Sequence, residues 1–449
     1  MGFQNPFRVS ERFILFAYFL GVIALGSGLL ALPVSWSGQN GHLRAPFIDA
    51  FFTAVSATCV TGLATVDTTL WSRFGQWVIL GLIQAGGLGI VTFAMLYFVL
   101  PRARMSLKGR KLLQDSFQAE GAPRARSMVR SILIITFTVE FLGAILLAIA
   151  FWQAGTSHPI FEGLFHAVSA FCNAGFSVFD GGMEAFRGNV MVNVTLMFLI
   201  IVGGIGFTVI RDIRRKLFDW RRPLLFHTRV TLLATPLFIL IGWLGYLFLD
   251  QNGLFSSLPQ DERLLATLFQ SITTRTAGFN TVDQASLSLT SRWLTLVLML
   301  IGGGSGSTAG GIKVTTAFIL FFVLFRGVNE RGDIRVMKRR IPPEDVGRAA
   351  IFFLKAAALL FLSILLLALI ESPSRTGFTP AQLIFECISA LGTVGLSMGI
   401  TGALSLPGKL IIIVTMFAGR VGLFSMVIRT IRDRTENLIE YPKGEVLIG

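Results

Sequence analysis

The sequence predicts an all-α integral membrane protein made of four repeats of one unit, with eight transmembrane helices and four re-entrant pore helices around a pseudo-fourfold axis. Three observations lead there. The 449 residues are 53% hydrophobic and 14% charged, with 41 phenylalanines, and the mean hydropathy is +0.70. Eight apolar runs are long enough for a span of roughly 20 residues, near 13–34, 76–100, 131–152, 190–210, 230–249, 293–325 (interrupted), 349–370 and 409–428. A short pattern also recurs four times at a spacing near a quarter of the chain.

The first run follows Arg8 and Arg12. It is too long for a secretory leader and is read as a retained span. The net charge of +14 sits mostly in three loops: eight Lys and Arg in 102–130, seven in 211–229 and seven in 326–348. Connections 35–50, 153–163 and 250–263 carry at most one each. This alternation puts the basic loops and both termini in the cytoplasm, with the loops meeting anionic lipid and not nucleic acid. Cys59, Cys172 and Cys387 show no paired spacing, and His42, His158, His166 and His227 make no metal-ligand pattern. No disulfide framework, zinc site or catalytic constellation is expected, and His166 reads as packing.

The repeat reads FTAVSATCVTGL (52–63), FHAVSAFCNAGF (165–176), FQSITTRTAGF (269–279) and FECISALGTVGL (385–396). In each copy Phe is followed by Val or Ile three residues on and by Ser or Thr four on, and then by Gly62, Gly175, Gly278 or Gly395. A second cluster, GGLG (86–89), GGIG (203–206), GGGSG (302–306) or GRVG (419–422), begins 24, 28, 24 and 24 residues after its repeat glycine. Surface loops have no packing reason to repeat in register. The units divide as 1–110, 111–225, 226–340 and 341–449.

Segments near 48–57, 160–171, 262–273 and 379–390 are too short to cross and read as pore helices. Irregular backbone survives at membrane depth only when buried in protein or lining water, and a selectivity filter uses that exception by turning carbonyls toward an ion. The strands Val60, Thr61, Gly62; Asn173, Ala174, Gly175; Thr276, Ala277, Gly278; and Thr393, Val394, Gly395 are the expected ion-binding residues. TVG (393–395) and VTG (60–62) echo potassium-channel filters. The preceding helices would aim their C-terminal, cation-favouring ends inward. The strands hold no acid, although Glu386 precedes the fourth, so selection by neutral carbonyls suits a monovalent cation.

Residues 302–311, GGGSGSTAGG, place six glycines and three hydroxyls inside an apolar run. Each glycine disfavours helix by roughly 1 kcal/mol, so a break is expected. A nucleotide-binding P-loop is excluded because Ile312 displaces Lys313 from the required place. A small-residue packing face is the other reading here and the preferred one for GGLG and GGIG. Arg420 falls within the last apolar run, and Lys313 follows the glycine loop. Arg275 is expected to brace neighbouring carbonyls, and Glu140 and Lys355 to be structural.

These stretches, with RTAGFN (275–280), GGGSGSTAGGIK (302–313) and the terminal YPKGEVLIG (441–449), resemble the Ktr/Trk/HKT superfamily of potassium transporters, in particular the membrane subunits of bacterial Ktr systems. The resemblance covers essentially the whole chain. It implies a multi-pass protein of the bacterial plasma membrane that takes up K+ and binds no cofactor itself. It implies a gate formed by Gly302, Gly303, Gly304, Ser305, Gly306, Ser307, Thr308, Ala309, Gly310 and Gly311, with Lys313 and Arg420 beside it, the gate loop extending over 302–312. It further implies a homodimer on a cytosolic ring of RCK-type, KtrA/KtrC-like regulatory subunits that bind ATP or ADP. A glycine in the first filter copy favours potassium. A sodium-coupled or sodium-transporting carrier is the alternative, with the broken helix as a midplane binding site.

Overall fold

The computed structural model describes residues 11–38, 43–89, 122–250, 253–329, 332–371 and 377–422. Over these residues the regular structure is helical apart from one hairpin of two short strands. Helix α1 spans Glu11–Leu30, α2 Phe47–Thr58 and α3 Arg73–Gly87. They are followed by α4 (Ala122–Gln153), α5 (Pro159–Cys172), α6 (Val190–Ile205) and α7 (Phe207–Phe218). Next come α8 (Phe226–Leu249), α9 (Gln260–Thr273), α10 (Leu289–Leu300) and α11 (Val314–Arg326). The hairpin pairs β1 (Ile334–Val336) antiparallel with β2 (Arg339–Ile341), Ile334 opposite Ile341. Helices α12 (Pro343–Ile370), α13 (Pro380–Gly392) and α14 (Leu406–Phe417) follow, and a π-helical turn covers Ala418–Gly422.

Three of these helices are each long and apolar enough to cross a membrane: Val129–Gln153, Phe226–Leu249 and Pro343–Ile370. Their outer faces leave large side chains uncovered, among them Phe137, Phe141, Leu240, Leu354 and Phe361. The buried interior is meanwhile rich in Ser, Thr, Asn and Gln. A water-soluble protein seldom leaves so much apolar surface uncovered; lipid accepts it. The basic stretch within 102–121 and the tail YPKGEVLIG (441–449) lie outside the described residues, as do both termini.

The expected span 190–210 is not one rod. Helix α6 ends at Ile205, and α7 leaves at 98°. The hinge is Gly206, whose φ of +104° is open to glycine and strained for any other residue. A glycine in an apolar run is ambiguous between packing and breaking, and here GGIG does both: Gly203 packs within α6, where a Cβ would overlap the Phe171 carbonyl oxygen, and Gly206 turns the chain.

The short helices α2, α5, α9 and α13 each carry one copy of the repeat. Pro lies at the first turn of α5 and α13, where its missing N–H is not needed, and Thr379 and Gln382 form a capping box on α13. Each of the four ends as its apolar face gives way to a residue with left-handed backbone: Val60 (φ 56°), Asn173 (58°), Thr276 (67°) and Thr393 (49°).

Candidate functional site: a ring of glycine strands over a buried loop

The residue after each left-handed position, Thr61, Ala174, Ala277 or Val394, returns to negative φ, and the glycine that follows is positive again: Gly62 94°, Gly175 71°, Gly278 76° and Gly395 95°. Alternating the sign of φ turns successive carbonyls toward one side, which an ordinary strand does not do.

The four strands close on one another. A Cβ added to Gly62 would overlap the Ala174 carbonyl oxygen; one on Gly175 would stand 2.8 Å from that of Ala277; one on Gly278 would overlap that of Val394; and one on Gly395 would overlap that of Thr61. First strand meets second, second third, third fourth, and fourth first. The glycines therefore encircle a single axis, and each is required twice, for its φ and for its neighbour's oxygen.

The constant phase of Ser or Thr in the repeat now has a cause. In the first and fourth copies the hydroxyl accepts from the ring glycine, Ser56 from Gly62 N and Ser389 from Gly395 N, both at 3.1 Å. In the second and third it donates to the residue after the glycine, Ser169 to Phe176 O at 2.9 Å and Thr273 to Phe279 O at 2.6 Å. Each helix thus splints its own strand from behind.

Residues 302–312 lie where the short helices end. The loop is almost entirely buried, and several of its backbone groups bond to protein. Gly304 N donates to Gly204 O at 2.7 Å, Thr308 N to Gly203 O at 3.3 Å, and Phe207 N to Gly306 O at 3.0 Å. The bend at Gly206 is thus the loop's seat. Two contacts fix its place relative to the ring: Asn173 Nδ2 donates to Thr308 Oγ1 at 3.0 Å, and Gly310 packs so closely on Thr393 that a Cβ there would overlap its Oγ1. Asn173 and Thr393 begin the second and fourth strands, which face each other across the ring. The loop therefore touches two opposed strands of the ring.

Three cationic side chains hold its carbonyls. Arg420 donates to Thr308 O and, at 3.0 Å, to Gly86 O. Lys313 Nζ donates to Ala309 O at 2.6 Å and Gly310 O at 3.4 Å. Arg275 reaches Gly302 O at 3.4 Å and Thr235 O at 3.3 Å, two carbonyls that the fold brings beside it from other elements. Among the described side chains Glu140 is buried and accepts from Gln84 at 3.1 Å, tying α3 to α4; Lys355 lies on α12. The Asn173–Thr308 bond has no signature in the sequence, because Asn at a left-handed helix end is sufficiently explained by backbone preference alone.

A helical bundle with lipid-compatible outer faces, organised around a narrow axis lined by backbone, is the architecture of a membrane transport protein. The family model described as TrkH, cation transport protein, matches residues 4–438. The chain belongs to that family. It is 38% identical over 438 residues to the Ktr system potassium uptake protein B of Bacillus subtilis, covering 96% of this chain and 95% of that protein. It is 36% identical over 449 residues to the potassium/sodium uptake protein NtpJ of Enterococcus hirae, covering 98% of each. The crystal structure of the potassium transporter TrkH from Vibrio parahaemolyticus superposes with a TM-score of 0.71 at 21% identity, covering 96% of this chain and 88% of that one, so the fold is shared.

Proposed function

We propose that this chain is the potassium-conducting membrane subunit of a Ktr-type uptake system of the bacterial plasma membrane. The carrying observation is the closed cycle of Gly62, Gly175, Gly278 and Gly395, each against the next strand's carbonyl. Four strands of alternating φ direct peptide oxygens to one axis, where they replace the hydration shell of a monovalent cation. In this reading each repeat contributes two spans and one re-entrant helix, giving eight spans with both termini cytoplasmic.

Loop 302–312 is the gate. Crossing the axis, it blocks passage, and it is held shut by hydrogen bonds that a shift of a few ångströms would break. Control falls to a cytosolic nucleotide-binding subunit that responds to ATP or ADP, acting on a homodimer of this chain. Full-length relatives named as Ktr system and potassium uptake proteins support both the ion and the multicomponent assembly.

A carrier that couples to sodium or transports it is the second reading, since one relative is named for both ions. The four strands meeting in one ring favour a pore, because alternating access calls for two units that rock against each other. Purified protein in liposomes decides. Rb+ flux driven by a K+ gradient, little inhibited by Na+ and needing none, is expected; flux that requires Na+ on the Rb+ side would overturn the pore.

A further inference from the structure

One position in the repeat is polar in every copy without being part of the ring or the loop. It directly follows the repeat Phe: Thr53, His166, Gln270 and Glu386. All four are buried, none more than 1% exposed, each directly after a buried Phe. Burying such groups is unfavourable unless they are hydrogen-bonded, so packing alone does not place them there.

Their partners share one location, the chain leaving the ring glycine. His166 Nδ1 lies 2.7 Å from Glu162 O, an acceptor, so that nitrogen carries the proton; Nε2 then accepts from Ser177 Oγ at 2.9 Å. Ser177 stands two residues beyond Gly175 and also accepts from Phe179 N at 3.1 Å, while Phe179 stacks on the imidazole at 4.9 Å. Glu386 accepts from Ser397, two residues beyond Gly395, and from Thr401 Oγ1 at 3.1 Å. Ser397 in turn accepts from Gly399 N at 2.9 Å. Gln270 pairs with Gln284 at 2.7 Å, Gln284 standing as far beyond Gly278 as Thr401 stands beyond Gly395. Thr53 is too short, and its hydroxyl has no partner among the described residues.

The two shortest-range braces therefore stand on the second and fourth strands, which face each other. We propose that His166 and Glu386 are positioning residues for ion discrimination: they anchor the outgoing ends of these two opposed strands at Ser177 and Ser397, fixing how far apart the Gly175 and Gly395 carbonyls stand. The helix ends fix the start of each strand, where Ala174 N donates to Ser169 O at 2.7 Å and Val394 N to Ser389 O at 2.8 Å, and His166 and Glu386 fix it beyond the glycine. A strand pinned at both ends cannot relax around a smaller cation, whereas one pinned at a single end can. This inference rests on the potassium-pore reading and names residues outside the ring that set its selectivity.

The test uses the full-length protein in liposomes, with Rb+ flux measured against increasing Na+. Glu386→Ala and Ser177→Ala are expected to let Na+ inhibit Rb+ flux at about tenfold lower concentration, the scale of one lost hydrogen bond to a buried polar strand. Glu386→Gln, whose amide oxygen still accepts from Ser397 and Thr401, is expected to recover most of the discrimination. Ser397→Ala, which alters the strand and leaves the helix intact, decides the matter where Glu386→Ala does not fold. Glu371→Ala serves as the control: this other buried carboxylate accepts from Ser405 at the start of α14, and its loss should lower the thermal midpoint without altering discrimination. Folded Ser397→Ala and Ser177→Ala proteins whose Na+ inhibition stays within about twofold of wild type would overturn the proposal. A wild-type protein that carries no Rb+ would instead overturn the parent reading.

Discussion

Arg420 donates to the carbonyl oxygen of Thr308 with one guanidinium nitrogen and to that of Gly86 with the other. Gly86 sits on α3 and Thr308 in the buried loop, so one planar group ties the first and third repeats together from the fourth. The fork geometry matters, because an ammonium placed on the same stem has no fixed separation with which to reach both oxygens. Arg420→Lys should therefore behave nearly like Arg420→Ala. Losing hydrogen bonds to a charged donor, about 1.5–3 kcal/mol, favours the displaced loop by about tenfold or more, so Rb+ flux into liposomes should rise. Unchanged flux in a folded Arg420→Ala protein would show that the loop does not limit passage.

The ring glycines admit no side chain. Gly175→Ala places a Cβ 2.8 Å from the Ala277 oxygen at a φ of +71°. Backbone strain of this kind is worth about 1–3 kcal/mol, and the displaced oxygen is one that would face the ion. The expected result is a lower thermal midpoint together with weaker preference for Rb+ over Na+. Gly62→Ser, at +94° and against Ala174, should do the same. A stable variant with wild-type discrimination would remove the ring from the transport path.

Much of this architecture is legible from residues alone, and for a physical reason. Phe, Ser or Thr, and Gly recur in register because each does the same thing four times. Phe52, Phe165, Phe269 and Phe385 fill the interior, the hydroxyl splints the strand, and the glycine passes its neighbour's oxygen. Symmetry exposes such roles by repeating them. Features that occur once carry no such signal. In sequence Gly206 resembles another packing glycine and Asn173 another helix end. Each acquires its role from a partner distant along the chain, Gly306 and Thr308 respectively, and no local pattern announces a partner. Arg275 is legible as a brace, but its oxygens, on α8 and at the start of the loop, are not.

The bend at Gly206 makes a separate prediction. Alanine there meets a φ of +104° and stands 2.7 Å from the Ser305 oxygen, so α6 and α7 must shift. The bonds from Gly304 to Gly204 and from Phe207 to Gly306 then weaken together. Because they hold the loop in its seat and not the ring in its shape, Gly206→Ala should raise flux and speed hydrogen exchange across 302–311 while leaving Na+ discrimination intact. Loss of discrimination would mean that the loop and the ring are one mechanical unit.

The seam between the first and last repeats joins a buried apolar cluster with an ion pair. Lys409 Nζ of α14 lies 2.9 Å from Asp49 Oδ1 on α2, with side-chain exposures of 13% and 9%. Fourth and first strands meet at this seam, where Gly395 passes Thr61. Removing one partner leaves a poorly solvated charge, so Asp49→Asn should destabilise by about 1–3 kcal/mol, less than a fully buried pair would. The companion Lys409→Gln should restore part of that loss in the double variant, since the orphaned charge is then gone. Thermal midpoints of the four proteins in detergent check this directly: additive losses would show that the two side chains do not interact, whereas a double variant more stable than Asp49→Asn alone establishes the pair as the clasp that closes the ring.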